Sequence, residues 1–544
     1  MMPSFFRPVL SHTLRRAVVL RQGLSNNTVA RTQLFRAAFS QTAVKATPST
    51  TVIQETSKSA YKTERDPNFK ELSEQDLAFF KSVLPPSSIV QDEDNLSNYN
   101  IDWLKRYQGH SKLVLKPSTT EQVSKLLKYC SDNRIAVVPQ GGNTGVVGGG
   151  TPVFDEVIIS TSNMNNIRSF DAISGSLVCD AGCILENLDN FLAENGHIMP
   201  LDLGAKGRQV CQIGGNVSTN AGGLRYLRYG SLHGNVLGLE VVLPDGTILN
   251  NMSTLRKDNT GYDLKQLFIG AEGTLGIVTG VSIASPKRPK AVNLALLGVD
   301  SFDQVIATFK RSKDELCEIV SAFEFWDQAS INLVQKHLAV GSNIPLQSSH
   351  QFYVLVETSG SNKEHDDEKL GQLLEGLITD GIIQDGVLAQ DTTQIRNLWA
   401  IREGIPEACS KAGAVYMYDI SMPVSVLYKL VEDLKTRFQE KGVFGEGKLI
   451  KSVTGFGHMG DGNLHLNVEA DAFTPEATGL IEPFIYEWTA ENSGSISAEH
   501  GLGRMKNQYL HYTKAPEMID LMRRLKVVFD PKGIMNPYKF FPSS

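Results

Sequence analysis

Pro139–Gly150, PQGGNTGVVGGG, is the stretch on which the fold turns. The β-branched run Ile135–Pro139 predicts a strand, and the glycines leave that strand directly. Six glycines in twelve residues let backbone amides crowd around an anion with no Cβ in the way. The string is neither GxGxxG opening a helix nor GxxxxGKS/T, which disfavours a Rossmann turn and a P-loop alike. A different anion cradle is required.

Working outward, Ser118–Cys130 predicts a capped helix, with Ser118 or Thr119 ahead of Glu121 and an apolar stripe at Val123, Leu126 and Leu127. Val157–Ser160, Leu177–Ala181, Val236–Leu243 and Thr274–Val281 predict strands, and Ile184–Asn195 a helix. Between them lie Pro200–Ala205 (PLDLGA), a second loop dense in Gly, Asn, Ser and Thr at Ile213–Gly223 (IGGNVSTNAGG), and Asp258–Gly273. Several such loops between strands suit one long ligand gripped along its length. A pyrophosphate joined to rings, as in FAD, fits this better than a single phosphate.

The chain has 544 residues, enough for two or three domains, with 41% hydrophobic and 21% charged residues. A net charge of −6 gives no electrostatic reason to expect nucleic acid, and no apolar run is long enough to span a bilayer. Residues 1–54 hold six arginines, many Ser and Thr and no acid, the pattern of a mitochondrial transit peptide with cleavage near Phe39–Ser40. A disordered basic tail is the alternative. The six cysteines form no CxxC and read as buried free thiols; Cys179 and Cys183 invite a redox idea, but their place at a strand end favours simple burial.

Ser285–Lys290, SPKRPK, breaks the strand pattern and marks a boundary. Beyond it, strands are expected at Val292–Val299, Ser321–Trp326 and Gln351–Glu357, with helical patterns at Phe302–Glu318, Leu370–Thr379 and Met518–Phe529. Two short segments then collect imidazoles and a carboxylate: His458 and His465 in TGFGHMGDGNLHLNV, Glu499 and His500 in SISAEHG. Two imidazoles and an acid form an open ligand set for a borderline cation; ordinary strand residues are the competing reading. Leu464–Val468 alternates as a strand, so His465 and Asn467 share a face, and Asp461 reads as a turn residue. Arg402 in LWAIREGIPE can take a carboxylate bidentately or pair with Glu403 or Glu407.

PQGGNTGVVGGG, PLDLGAKG, GGNVSTNAGGLRYLRYGSLHG, RKDNTGYDLKQLFIG, EGTLGIVT, GHMGDGNLHLNV, SAEHGLGRMK and DPKGIMNPYK together resemble the vanillyl-alcohol-oxidase-type flavoproteins, and within them the D-2-hydroxyacid dehydrogenases, across residues 100–542. The resemblance implies an α+β fold: an FAD-binding domain of two subdomains (100–286), an antiparallel-sheet substrate domain (290–484) and a small helical C-terminal piece completing the active site (485–544). It assigns FAD contacts to Pro139, Gly141, Gly142, Asn143, Thr144, Gly145 and Gly148 in the first loop, and to Pro200, Asp202 and Gly204 in PLDLG. In the second loop it assigns them to Gly214, Gly215, Asn216, Ser218, Thr219, Asn220, Gly222 and Gly223. Glu272, Gly273, Gly276 and Ile277 follow, with Asn536 either beside the isoalloxazine or a simple turn residue. No His lies between His110 and His197, so the FAD is expected to be unlinked.

The same resemblance makes His458, His465 and Glu499 the ligands of a divalent metal, zinc the expected ion. It makes Arg402 the substrate-carboxylate arginine, His500 the base and Asn463 a substrate contact. The implied reaction is oxidation of D-2-hydroxyglutarate to 2-oxoglutarate, with hydride passing to flavin N5, in the mitochondrial matrix. Met417 stands where a lysine is expected, which brings D-lactate forward as the alternative substrate. Electron-transfer flavoprotein, cytochrome c or a second oxoacid could accept the electrons, and a homodimer is one assembly the sequence allows. A non-catalytic binding protein on the same fold is the reading from a different class.

Overall fold

Three sheets carry the residues that the computed structural model describes, 63–204, 210–339 and 344–542. The segment 1–54, expected to be a transit peptide, the cleavage site expected in it and Ala205 lie outside the described residues. The first sheet contains β1 (Ile89–Val90), β2 (Val114–Leu115), β3 (Val137–Gln140) and β4 (Val157–Ser160) in the order β1-β2-β4-β3. β4 runs parallel to β2 and β3. Its unbroken apolar run is buried, as befits a parallel strand covered on both faces. The helix Thr120–Asp132 is capped by Thr119, which accepts from Gln122 N, and buries Val123, Leu126 and Leu127. The same core takes in Phe69 and Phe80 from upstream and Ile534 and Met535 from near the C-terminus.

The second sheet, β5 (Ile167–Asp171), β6 (Ser176–Asp180), β7 (Val236–Val242), β8 (Ile248–Asn251) and β9 (Ile277–Ala284), has the order β5-β6-β9-β7-β8 and is antiparallel throughout. The first part of IGGNVSTNAGG, expected as a loop, is a helix over Ile213–Thr219. Ile213 and Val217, four apart, are fully buried beneath it. Ser218 Oγ and Thr219 Oγ1 donate to Gly214 O (2.8 Å) and Gly215 O (3.1 Å), one turn back. Asn220 ends the helix at φ 50°. Burial of two branched side chains outweighs the poor helix propensity of the glycines.

The third sheet holds β10 (Ala291–Val299), β11 (Val320–Asp327), β12 (Phe352–Gly360), β13 (Asp385–Leu388), β14 (Ala414–Ser421), β15 (Ile450–His458) and β16 (Asn463–Ala470). Its antiparallel order is β13-β10-β12-β11-β15-β16-β14. SPKRPK therefore links strands of different sheets. Period-two alternation divides β16: Leu464, Leu466 and Val468 enter the main core, and Asn463, His465 and Asn467 face the other way. The expected helical patterns appear as Phe302–Leu316, Lys363–Thr379 and Pro516–Phe529, and a further helix, Thr392–Lys411, carries Arg402. Among the described residues no helix is long and apolar enough to cross a membrane.

Candidate active site

Close backbone approach builds one half of the site. A Cβ on Gly142 would lie 1.8 Å from Val210 O, and one on Gly223 (φ 88°) 2.2 Å from Asp202 O, so these glycines let three loops touch. Gly214 packs on Ala181, Gly276 on Val242, Gly273 on Pro139 and Gly148 on the Tyr107 ring, while Ile277 belongs to the core. Glu272 (φ 51°) takes Leu502 N on Oε1 (2.7 Å) and Gly503 N on Oε2 (2.8 Å). Burial pushes its carboxyl up.

Asn536, expected beside the isoalloxazine, has its amide committed elsewhere. It donates to Gly149 O (3.1 Å) and Glu272 O (2.8 Å), and its oxygen accepts from Lys539 Nζ (2.8 Å). It ties the first Gly loop to the Glu272 turn. Asn143 Nδ2 donates to Ile101 O (2.8 Å), Thr144 bonds the Cys211 thiol, Asp202 pairs with Arg225 (2.7 Å), and Pro200 is buried. The hydroxyls of Ser218 and Thr219 serve their own helix.

A long polar ligand fits what remains. Added Cβ atoms on Gly145 and Gly215 meet nothing among the described residues within 4 Å, and Gly141 meets nothing closer than 3.6 Å. Gly204 lies in the turn before the undescribed residues 205–209. Asn216 Oδ1 and Asn220 Oδ1 are buried acceptors with no partner among the described residues. These features suit a phosphate-bearing cofactor such as FAD.

Cross-strand pairing builds the other half. Glu324 of β11 faces His458 of β15, which faces Asn463; Asp419 of β14 faces His465 of β16. The Nε2 atoms of His458 and His465 lie 3.5 Å apart, and Glu499 Oε1 is 3.6 Å from His465 Nε2. Glu324 holds His458 Nδ1 at 2.7 Å, which leaves Nε2 facing His465. The ligand atoms of Asp419, His465, Glu499 and His500 also lie within 4.8 Å of one another. Asp419 Oδ2, however, already accepts the backbone N–H groups of Ala498, Glu499 and His500 at 2.9–3.1 Å, and Oδ1 accepts from Asn463 Nδ2 (2.9 Å). Glu499 is therefore the better anionic ligand. Two imidazoles and this acid could hold a borderline divalent cation, beside the buried Asn463 Oδ1, which has no hydrogen-bond partner among the described residues.

Glu499 also joins the halves, because its Oε2 accepts Gly223 N of the cradle at 2.8 Å. Gly222 is needed beside it: a Cβ there would come within 3.1 Å of that oxygen. His500 Nδ1 lies 3.8 Å from Asp419 Oδ2 and Nε2 3.8 Å from Glu499 Oε1. Asp461 accepts Asn463 N (3.1 Å) within the turn, the place its sequence suggests, and burial pushes it up to about 6. Arg402 is buried on Glu324, with Nε at 3.0 Å and the guanidinium 4.8 Å from the centre of the Phe456 ring. Its Nη2 lies 2.8 Å from the same carboxylate but at an angle that leaves it without a hydrogen bond.

Charge organises this face. Burial opposes ionisation of Asp419, yet His500, Lys506 and His465 hold its carboxyl well below the usual range. Burial likewise opposes a charge on His458, but Glu324 raises it to about 9. Burial and the neighbouring His458 keep His465 well below its ordinary value.

Glu324, Asp419 and Lys506 are absent from the sequence-based set of site residues. The signal was present: in SAFEFW and YMYDIS an acid sits among aromatics on a strand, where an unpaired charge is costly. Lys506, whose Nζ donates to Asp419 O (2.9 Å), carried no comparable signal.

Comparison with known proteins gives this geometry its setting. Residues 111–251 match the FAD binding domain and residues 288–540 the C-terminal domain of FAD linked oxidases. A mitochondrial D-2-hydroxyglutarate dehydrogenase of Rattus norvegicus is 54% identical over 87% of this chain and 86% of its own. The chain belongs to the FAD-linked D-2-hydroxyacid dehydrogenases. It is an FAD-dependent oxidoreductase. A Schizosaccharomyces pombe protein provisionally named a mitochondrial D-lactate dehydrogenase is 53% identical, over 88% of this chain and 92% of its own. The solved alkyldihydroxyacetonephosphate synthase, 18% identical, superposes with a TM-score of 0.66 over 86% of this chain and 85% of that one. The fold is that of the vanillyl-alcohol-oxidase-type flavoproteins.

Proposed function

We propose that this dehydrogenase oxidises D-2-hydroxyglutarate to 2-oxoglutarate in the mitochondrial matrix, with residues 100–286 binding FAD, 290–484 the substrate, and 485–544 closing the site. The observation that carries the proposal is His465 Nε2 set 3.5 Å from His458 Nε2 and 3.6 Å from Glu499 Oε1, on a face bonded to the cradle through Glu499 and Gly223. Bound FAD supplies a hydride acceptor at N5, and a divalent cation on those three residues, zinc above all, supplies a Lewis acid that acidifies a hydroxyl.

The chain's own groups do the rest. Arg402, held by Glu324, receives the substrate carboxylate and fixes which face of the carbinol carbon is presented. His500 Nε2 takes the hydroxyl proton, and the Asp419 carboxylate 3.8 Å from Nδ1 balances the charge that develops. Asn463, anchored through Nδ2, offers Oδ1 to the substrate. Electron-transfer flavoprotein or cytochrome c is the acceptor we favour.

One observation favours D-lactate as the second reading. Met417 lies opposite Asn467 on this face and packs against the core cluster that includes Leu398 and Phe456, so it brings no cation for a second carboxylate. Anaerobic titration separates the two. Flavin bleaching by D-2-hydroxyglutarate at far lower concentration than by D-lactate supports the leading proposal; the reverse order replaces it. His500→Ala keeps bound flavin and loses reduction by either acid; reduction at the normal rate overturns the base assignment.

A further inference from the structure

Cys179 lies in β6 and Cys183 in the turn that follows, and both are buried, as their place at a strand end suggested. Cys183 Sγ donates to Asn166 O at 3.4 Å, and Cys179, four residues earlier, is the neighbour that most affects its ionisation. Cys183 lines a cavity of about 320 Å³ together with Gly142, Ser162, Ile184, Asn187 and Gln212. Ser162 Oγ is a buried hydroxyl without a partner among the described residues. A small polar oxidant can therefore meet Cys183, with Cys179 four residues away on β6.

The other thiols differ. Burial pushes those of Cys130 and Cys211 up, and that of Cys409 to about 12, which disfavours the reactive thiolate. The neighbouring Cys179 draws Cys183 down, and that same contact together with burial pushes Cys179 itself up. The turn is also strapped to the cofactor half. Ile213 N donates to Cys183 O (3.0 Å) and Gly214 N to Ala181 O (2.8 Å), at the start of the helix that carries Asn216. Gly182 leaves the turn no slack, since a Cβ there would lie 1.9 Å from Thr161 O.

We propose that Cys179 and Cys183 are a peroxide-sensitive dithiol, a modification site whose oxidation loosens the helix Ile213–Thr219. The Cys183 thiolate attacks hydrogen peroxide; the O–O bond breaks, hydroxide leaves and takes up a proton, and a sulfenic acid forms. The Cys179 sulfur then attacks the Cys183 sulfur; the S–O bond breaks, water leaves and the disulfide forms. Two thiols lose two electrons and two protons, and peroxide becomes two waters. Drawing the sulfurs together pulls Cys183 O away from Ile213 N. That consequence rests on the helix belonging to the FAD cradle; the thiol chemistry does not.

The test treats the full-length holoenzyme with hydrogen peroxide, alkylates under denaturing conditions and maps the peptides by mass, recording flavin absorbance in parallel. The expected result is loss of two hydrogens from the Cys179–Cys183 peptide, reversed by dithiothreitol, with flavin released as the disulfide accumulates. Cys179→Ser stops Cys183 at a sulfenic acid that dimedone traps, and Cys183→Ser leaves Cys179 reduced. A Cys179–Cys183 pair that stays fully alkylatable while exposed Cys317 is oxidised overturns the modification site. A disulfide that forms with flavin fully retained overturns the link to the helix and leaves the proposed dehydrogenase activity untouched.

Discussion

The cofactor cradle and the imidazole face reach order by opposite means. Where the cradle closes, it is backbone against backbone: Gly142 against Val210, Gly223 against Asp202, and Glu272 holding two amides of the C-terminal segment. The imidazole face is side chain against side chain, with Glu324 shared by His458 and Arg402 and Asp419 gathering Asn463 and three amides. Their buried acids show the difference: burial pushes Glu272 up, while neighbouring cations hold Asp419 down. The first region should thus be sensitive to added volume, the second to lost charge.

Gly142→Ala sets volume against the cradle most severely. A methyl 1.8 Å from a backbone carbonyl has no flexible neighbour to displace, so soluble yellow protein is expected to be lost outright. Recovery of flavin-bound protein with a normal melting temperature would sink the close-approach argument.

Asp419→Asn removes charge and little volume. Breaking a buried ion network costs on the order of 3–5 kcal/mol, to be read by urea unfolding at neutral pH. Because the folded pKa of Asp419 lies below its unfolded value of about 3.9, its stabilisation is present above that pH and is lost as pH falls through the folded value. The wild type should therefore lose stability on acidification below about pH 4, and the variant should show a flatter acid limb.

Glu324→Gln keeps shape but releases both His458 and Arg402. Loss of a carboxylate behind a metal-ligating histidine typically costs about 10–100-fold in metal affinity or activity. Dialysis against a graded metal buffer and KM for the hydroxyacid are expected to worsen together. A change in KM alone would confine Glu324 to the arginine.

The smallest effect is expected at Gly145→Ala, where the new methyl meets no described atom within 4 Å. Thermal stability of the flavin-free protein should shift by no more than about 0.5 kcal/mol, while flavin affinity measured by fluorescence falls. A destabilised apoprotein would place Gly145 with Gly142 instead.

The same contrast explains what the sequence made legible. Strands, capped helices and Gly loops have local causes, so β3, the helix after Thr119 and the alternation of β16 could be read directly. His458, His465 and Glu499 were legible as residue types. Their shared counter-ions were not, because Glu324 and Asp419 reach them only through strand register, across 134 positions in the case of Glu324 and His458. The helix Ile213–Thr219 escaped because its driving force is burial of Ile213 and Val217 beneath glycines that argue locally for a loop. Asn536 read as a cofactor contact, and its amide is spent on joining two loops.

The most direct test is metal analysis with anaerobic flavin reduction on one preparation of wild type and His465→Ala. The wild type should carry stoichiometric divalent cation and bleach with its D-hydroxyacid. His465→Ala should retain its flavin, lose the cation and fail to bleach. Bleaching at the normal rate in wild-type protein stripped of all divalent metal would contradict a cation held by His458, His465 and Glu499.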